Sequence, residues 1–83
     1  MVRKFVTNYY YLIKLIKDNT ISVNNERYCP LLQEEMANNL NVSRITINKM
    51  CKELIEEGYL TNIGKSRLSL TDKGNDILNK INL

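Results

Sequence analysis

Leu31-Leu32-Gln33-Glu34-Glu35-Met36-Ala37-Asn38-Asn39-Leu40-Asn41-Val42-Ser43-Arg44-Ile45-Thr46-Ile47 opens the stretch that decides how this chain folds, and Glu57-Gly58-Tyr59-Leu60 closes its helical part. The spacing predicts a short helix over 32–39, with Leu32, Met36 and Leu40 on its buried side, Ala37 beside them and carboxylates in its first turn. Asn41 follows, a residue that tolerates the left-handed backbone of a tight turn between helices. Ser43 is a good N-cap, its hydroxyl able to accept from the amide of Ile45 or Thr46. The helix it starts runs over 43–57. Ile47, Met50, Cys51 and Leu54 fall on one face, and Ile45, Lys49, Lys52 and Glu56 on the other, with Thr46 and Asn48 on the flanks. Gly58 stops it by allowing positive φ.

Beyond Gly58 the period changes from 3.6 to 2. Leu60, Leu68 and Leu70 can point inward while Thr61, Asn62 and Ser69 point outward, and Gly64-Lys65-Ser66-Arg67 reads as a hairpin tip. Thr71 or Asp72 can cap a last helix with Ile77, Leu78 and Ile81 as its apolar stripe. Upstream, apolar residues at 5, 6, 9, 12, 13 and 16 predict a helix from Phe5 to Lys17, ended by Asn19 and Thr20. Its tyrosine run, Tyr9-Tyr10-Tyr11, requires at least one ring to face outward or a partner. Between these helices, Ile21, Val23 and Tyr28-Cys29 suggest short extended pieces around the turn-forming Asn24-Asn25, the second ending near Cys29 and pairing with the later ribbon. Pro30 fixes the chain at the entrance to the next helix. The order of elements is that of an α+β, mostly α, winged helix-turn-helix: a three-helix core, a C-terminal β-hairpin wing over 60–70 and an extra C-terminal helix, in one domain over 1–83.

The 83 residues are 43 % apolar and 25 % charged, an ordinary balance for a globular domain. A chain this small is marginal alone, so a partner copy would add buried area. No apolar run approaches the roughly 20 residues that span a bilayer, and the basic start Met1-Val2-Arg3-Lys4-Phe5 is not followed by a signal-peptide core. There is no histidine, and Cys29 and Cys51 lie far apart. That pattern holds no metal-ligand cluster, no nucleophile–base pair and no phosphate-cradling glycine loop, so no enzyme, metal or cofactor is expected. Free thiols suit the cytoplasm, and abundant Asn, Ile and Lys, with A/T-rich codons, point to a low-GC bacterial or phage genome. The net charge is only +3, but in 41–58 the cations Arg44, Lys49 and Lys52 precede the acids Glu53, Glu56 and Glu57. Such a helix can offer its front to phosphates and keep its rear away.

The 31–37 helix, the Leu40 to Ile47 turn and the Glu57-Gly58-Tyr59-Leu60 stop together resemble bacterial winged helix-turn-helix regulators. Gln33-Glu34-Glu35-Met36-Ala37 is similar to the DNA-binding domain of the cyclic-AMP receptor family. Leu70-Thr71-Asp72-Lys73-Gly74 resembles the multiple-antibiotic-resistance regulator type, although the chain shows no long flanking helices like those that form that type's dimer and ligand pocket; no small-molecule ligand is expected. Asn41 stands where the family usually has Gly. The resemblance covers about 31–78. It implies a transcriptional regulator bound to double-stranded DNA, its third helix in the major groove and its wing on the backbone or minor groove.

Carried onto this sequence, the implied contacts are Ser43, Arg44, Thr46, Asn48, Lys49 and Lys52 on the helix and Lys65, Ser66 and Arg67 on the wing. Lys52, Lys65 and Arg67 suit phosphates. Arg44 can pair with a guanine edge and Asn48 with an adenine edge. Thr46 can bond a phosphate or touch a thymine methyl, and the amides near Leu32-Gln33 can hold a phosphate. Ile45 is the odd member, apolar on the outward face. It packs either on a thymine methyl or against another element or chain. A protein-binding winged-helix module is the alternative function, favoured by Ile45 and the mild charge. For dimerisation the natural surfaces are the first helix (Phe5, Tyr9, Leu12, Ile16) and the last (Ile77, Leu78, Ile81), unless a monomer core consumes the same stripes. Ser43 is first a cap, Cys51 a small buried apolar residue, and the glutamates solvated helix-end charges.

Overall fold

A computed structural model describes residues 8–64 and 67–80. Its elements are α1 (Asn8–Asp18), β1 (Ile21–Val23), β2 (Glu26–Tyr28), α2 (Gln33–Leu40), α3 (Arg44–Glu56), β3 (Leu60–Asn62), β4 (Leu68–Leu70) and α4 (Asp72–Lys80). Three helices pack around one core, two antiparallel hairpins flank it, and α4 follows the second hairpin, which is the winged helix-turn-helix arrangement.

The polar side chains that end α1 do so by bonding its orphan carbonyls. Asn19 Nδ2 donates to Leu15 O (2.9 Å) and Thr20 Oγ1 to Ile16 O (2.7 Å). The chain then turns through Asn24 (φ 52°) and Asn25 (φ 69°), both left-handed, as a two-residue hairpin between right-twisted strands requires. The expected pairing with the later ribbon is a single bridge. β2 pairs along its length with β1, and among the described residues the one backbone bridge to the later ribbon is at Cys29, its N–H donating to Leu68 O at 2.8 Å. That bridge joins the two hairpins.

The core is apolar and comes from every helix of the bundle: Leu12, Ile13 and Ile16 of α1, Met36 and Ala37 of α2, Ile47, Met50, Cys51 and Leu54 of α3, with Cys29, Tyr59, Leu60 and Leu68 closing it. Burying one such Leu or Ile contributes about 2 kcal/mol. Two expectations are corrected here. Leu32 is 58 % exposed, because α2 starts one residue later than the spacing predicts and Leu32 is left at the cap, off the helical stripe. Leu12 and Ile16, named for a dimer face, are both 0 % exposed within the chain itself. Tyr9 is also engaged internally, its hydroxyl donating to the Glu53 carboxylate of α3. Tyr11 is the outward tyrosine, 55 % exposed. Ile77 and Leu78 are half-buried against the core. Phe5 and Ile81, the remaining members of those stripes, lie outside the described residues.

The rear of α3 is held by the start of α4. Gly58 takes φ 87° and ends the helix. Thr71 Oγ1 donates to Gly58 O (2.5 Å) and accepts from Gly74 N (3.1 Å), so one hydroxyl caps α4 and satisfies a carbonyl at the α3 terminus. Lys73 Nζ donates to Glu57 O (2.7 Å), where a cation also suits the negative end of the helix.

Candidate nucleic-acid interface

The turn that presents α3 is built by Asn41 and Ser43. Asn41 adopts φ 57°, ψ 44°, and Val42 N–H returns to Ala37 O (3.0 Å), the six-to-one bond of a helix stop. Ser43 is extended (φ −77°, ψ 157°), and its Oγ accepts from Thr46 N at 3.0 Å. The same hydroxyl donates to Thr46 Oγ1 (2.9 Å). A serine has one O–H, so Ser43 has no hydroxyl proton left for a phosphate, whereas Thr46 keeps its own.

Beyond the cap, α3 buries Ile47, Met50, Cys51 and Leu54 and exposes Arg44, Ile45, Thr46, Asn48, Lys49 and Lys52. Ile45 is 82 % exposed at the leading turn. Among the described residues, the one ion pair is Lys14–Asp18 on α1 (3.2 Å), so none of their carboxylates pairs with Arg44, Lys49 or Lys52. Glu56 and Glu57 lie at the far end of the helix. The charge order read along the sequence is thus a gradient along one rod.

Arg44, Asn48 and Lys52 line a groove of about 420 Å³ together with Leu32 and Gln33 at the start of α2 and Asn62 and Leu68 of the second hairpin. The front of α3 and the root of the wing therefore share one concave surface. At the wing, Ile63 N–H donates to Arg67 O (2.7 Å) and Gly64 takes φ 70°. The Arg67 guanidinium lies over the Tyr28 ring, 4.7 Å from its centroid, which braces it against the first hairpin. Lys65 and Ser66 lie outside the described residues.

The spacing of apolar residues missed two features. The Leu32 amide, expected to hold a phosphate, donates to Glu35 Oε1 (2.8 Å), half of a capping box and a negative charge at that helix end. And Asn48 Nδ2 donates to Gln33 Oε1 (3.2 Å), tying the exposed face of α3 to the first residue of α2. The only signal for that pair in the sequence is two amide residues fifteen positions apart across a turn.

Residues 9–74, most of the chain, match the family described as the Crp-like helix-turn-helix domain. The chain belongs to that family. The Crp-like match begins in α1 and ends in α4, so it takes in both hairpins and the whole α2–α3 unit. It supports a bacterial DNA-binding regulator in general terms, and of the two groups whose motifs the sequence resembles it is the cyclic-AMP receptor side that matches. No curated protein matches the chain. No helix among the described residues is long and apolar enough to cross a membrane.

Both thiols of this Crp-like domain are buried and free of disulfides. Burial pushes the Cys51 thiol up from 9.0 to about 11, with Cys29 nearby adding to the shift, and burial likewise raises Cys29. Native protein at neutral pH should react with a thiol reagent only as fast as unfolding exposes these groups, and both should react at once in denaturant. The folded chain also holds the Cys51 proton more tightly than the unfolded chain. The stability from this proton is whole below about pH 9 and falls by on the order of 1 kcal/mol per unit toward pH 11. Denaturant titrations at pH 8 and 10.5 should show that loss, and Cys51→Ala should lessen it.

Proposed function

We propose that this chain is a sequence-specific regulator of transcription that binds double-stranded DNA, with α3 in the major groove and the β3–β4 wing on the backbone or minor groove. The observation that carries the reading is the exposed leading half of α3, where Arg44, Ile45, Thr46, Asn48 and Lys49 stand outward and the cations have no carboxylate partner among the described residues. Phosphates supply most of the affinity through counterion release, and base edges supply the preference. Lys49, Lys52, Lys65 and Arg67 take the phosphate role, and Ser66 joins them. Arg44 and Asn48 take the base role, and Ile45 packs on a thymine methyl.

Selection from a random duplex pool, followed by fluorescence anisotropy over a salt series, tests this. A preferred site should emerge, and affinity should fall steeply with salt. Lys52→Ala and Arg67→Ala should each weaken binding to every duplex alike and flatten the log–log salt slope by about 0.9. Equal affinity for the selected and a scrambled duplex would sink the specific reading.

Repression or activation through two half-sites about 34 Å apart would need two copies of the chain. Since α1 has Leu12 and Ile16 in its own core, a dimer through the first and last helices would draw, among the described residues, on Tyr11 and the outer parts of Ile77 and Leu78. Light scattering with and without duplex reads this directly. The second reading, a protein-binding module, is favoured by Leu32 and Ile45, exposed at 58 % and 82 %. It demands no salt-dependent signal with any duplex.

A further inference from the structure

The side chain that orients a base-reading amide matters as much as the amide, because a free asparagine can present donor or acceptor to either side. Asn48 is not free. Its Nδ2 donates to Gln33 Oε1 at 3.2 Å. From this we infer that Gln33 is a positioning residue for base recognition: it locks the Asn48 amide in the orientation that reads adenine. The inference rests on the DNA-binding reading above.

The chemistry follows from counting donors. An asparagine amide has two N–H groups and one carbonyl oxygen. Gln33 takes one N–H. The second N–H and the oxygen remain, and they are the two groups that meet adenine N7 and N6 in the major groove. The Gln33 bond therefore fixes the amide without spending either group the base requires. While Gln33 presents Oε1 it also sets which end of the Asn48 amide faces which way, since that oxygen accepts only from the nitrogen end. A rotated amide would put its oxygen against Gln33 Oε1, two acceptors in contact, and would turn the nitrogen toward the adenine amino group.

Location supports the same role. Gln33 is the first residue of α2, and both Gln33 and Asn48 line the groove shared with Arg44. Asn48 is exposed and Gln33 half-buried, so the pair faces whatever fills that groove rather than the core. α2 is set against α3 by the Asn41 turn and by the buried contacts of Met36 and Ala37, so Gln33 is held on a rigid support.

The test is duplex selection and anisotropy on the full chain with Gln33→Ala, Gln33→Glu, Asn48→Ala and the Gln33→Ala/Asn48→Ala double variant. Thermal melts monitor folding. The expected result is that Gln33→Ala melts like the parent and keeps its salt slope, but loses at least about fivefold of the preference for A·T over G·C at the one position that Asn48→Ala also relaxes. The double variant should be no worse at that position than Asn48→Ala alone, the mark of two residues acting as a unit. Gln33→Glu keeps the accepting oxygen and should restore the preference, with weaker binding overall from a carboxylate near phosphates. If the parent selects a site and Gln33→Ala retains full preference at every position, the inference is overturned while the DNA reading stands. The same holds if Gln33→Ala weakens all duplexes equally. If the parent selects no site, both fall.

Discussion

Gly74→Ala will destabilise the fold by about 3 kcal/mol, although alanine is the better helix former. Gly74 lies in the first turn of α4, and a Cβ there would stand 2.4 Å from Tyr59 O and 2.8 Å from Leu70 Cδ2. Helix propensity favours alanine by about 1 kcal/mol. Against it stands an overlap with a backbone oxygen, which cannot rotate away as a side-chain tip can. That oxygen also accepts from Thr71 N at 3.2 Å, and the Thr71 hydroxyl bonds Gly58 O and Gly74 N, so backing α4 off disturbs three hydrogen bonds at once. Overpacking at the top of its usual range of about 3 kcal/mol, plus about 1 kcal/mol of weakened bonding, outweighs the gain. In a domain of this size the melting temperature should drop by about 15 °C. Calorimetry or a thermal melt by circular dichroism measures it. A melting point at or above that of the parent would mean that α4 is not seated against Tyr59 as described.

The second large effect concerns recognition. Arg44→Ala should lower affinity for the selected duplex by on the order of 100-fold and for a scrambled duplex by far less. A bidentate pair between a guanidinium and a guanine edge carries about 1–3 kcal/mol of discrimination, while one lost phosphate contact weakens all duplexes uniformly. Arg44 is the first residue of α3, exposed, among the described residues without a carboxylate partner, and beside Asn48 and Ile45 in a shallow concavity. Arg44→Lys should recover most of the nonspecific binding and little of the preference, because a lysine is a point charge without the planar fork. Comparable losses on both duplexes would move Arg44 from base to backbone contact.

The helix-turn-helix was legible because its local chemistry and its apolar spacing agree. Asn41, Ser43 and Gly58 each have a backbone or capping role that the residue type announces, and all three adopt it. The Asn24-Asn25 turn was readable for the same reason. Other features depend on what meets in space. Periodicity shows that Leu12 and Ile16 share a face but not whether the chain or a second copy covers it; here α1 packs inward and the chain does. Leu32 looked buried because a one-residue shift in the start of α2 moves it off the stripe. The Gln33–Asn48 pair and the seat of Gly74 under Tyr59 join residues fifteen apart, and spacing along one element is silent on both. The proposed contacts on α3 fall on the outward face the spacing assigned them, and Ser43, read first as a cap, has its only hydroxyl proton turned toward Thr46.

The main-chain bond from Cys29 to Leu68 has a mechanical consequence. It fastens the second hairpin to the segment that leads directly into Gln33, so a load on the wing would pull on the same stretch of backbone that carries the Gln33 side of the amide pair. On the proposed DNA-binding reading, engagement of the flanking phosphates and scrutiny of the central bases would be mechanically linked. Deuterium uptake at the Cys29 amide, followed with and without duplex, would serve as the gauge of that linkage.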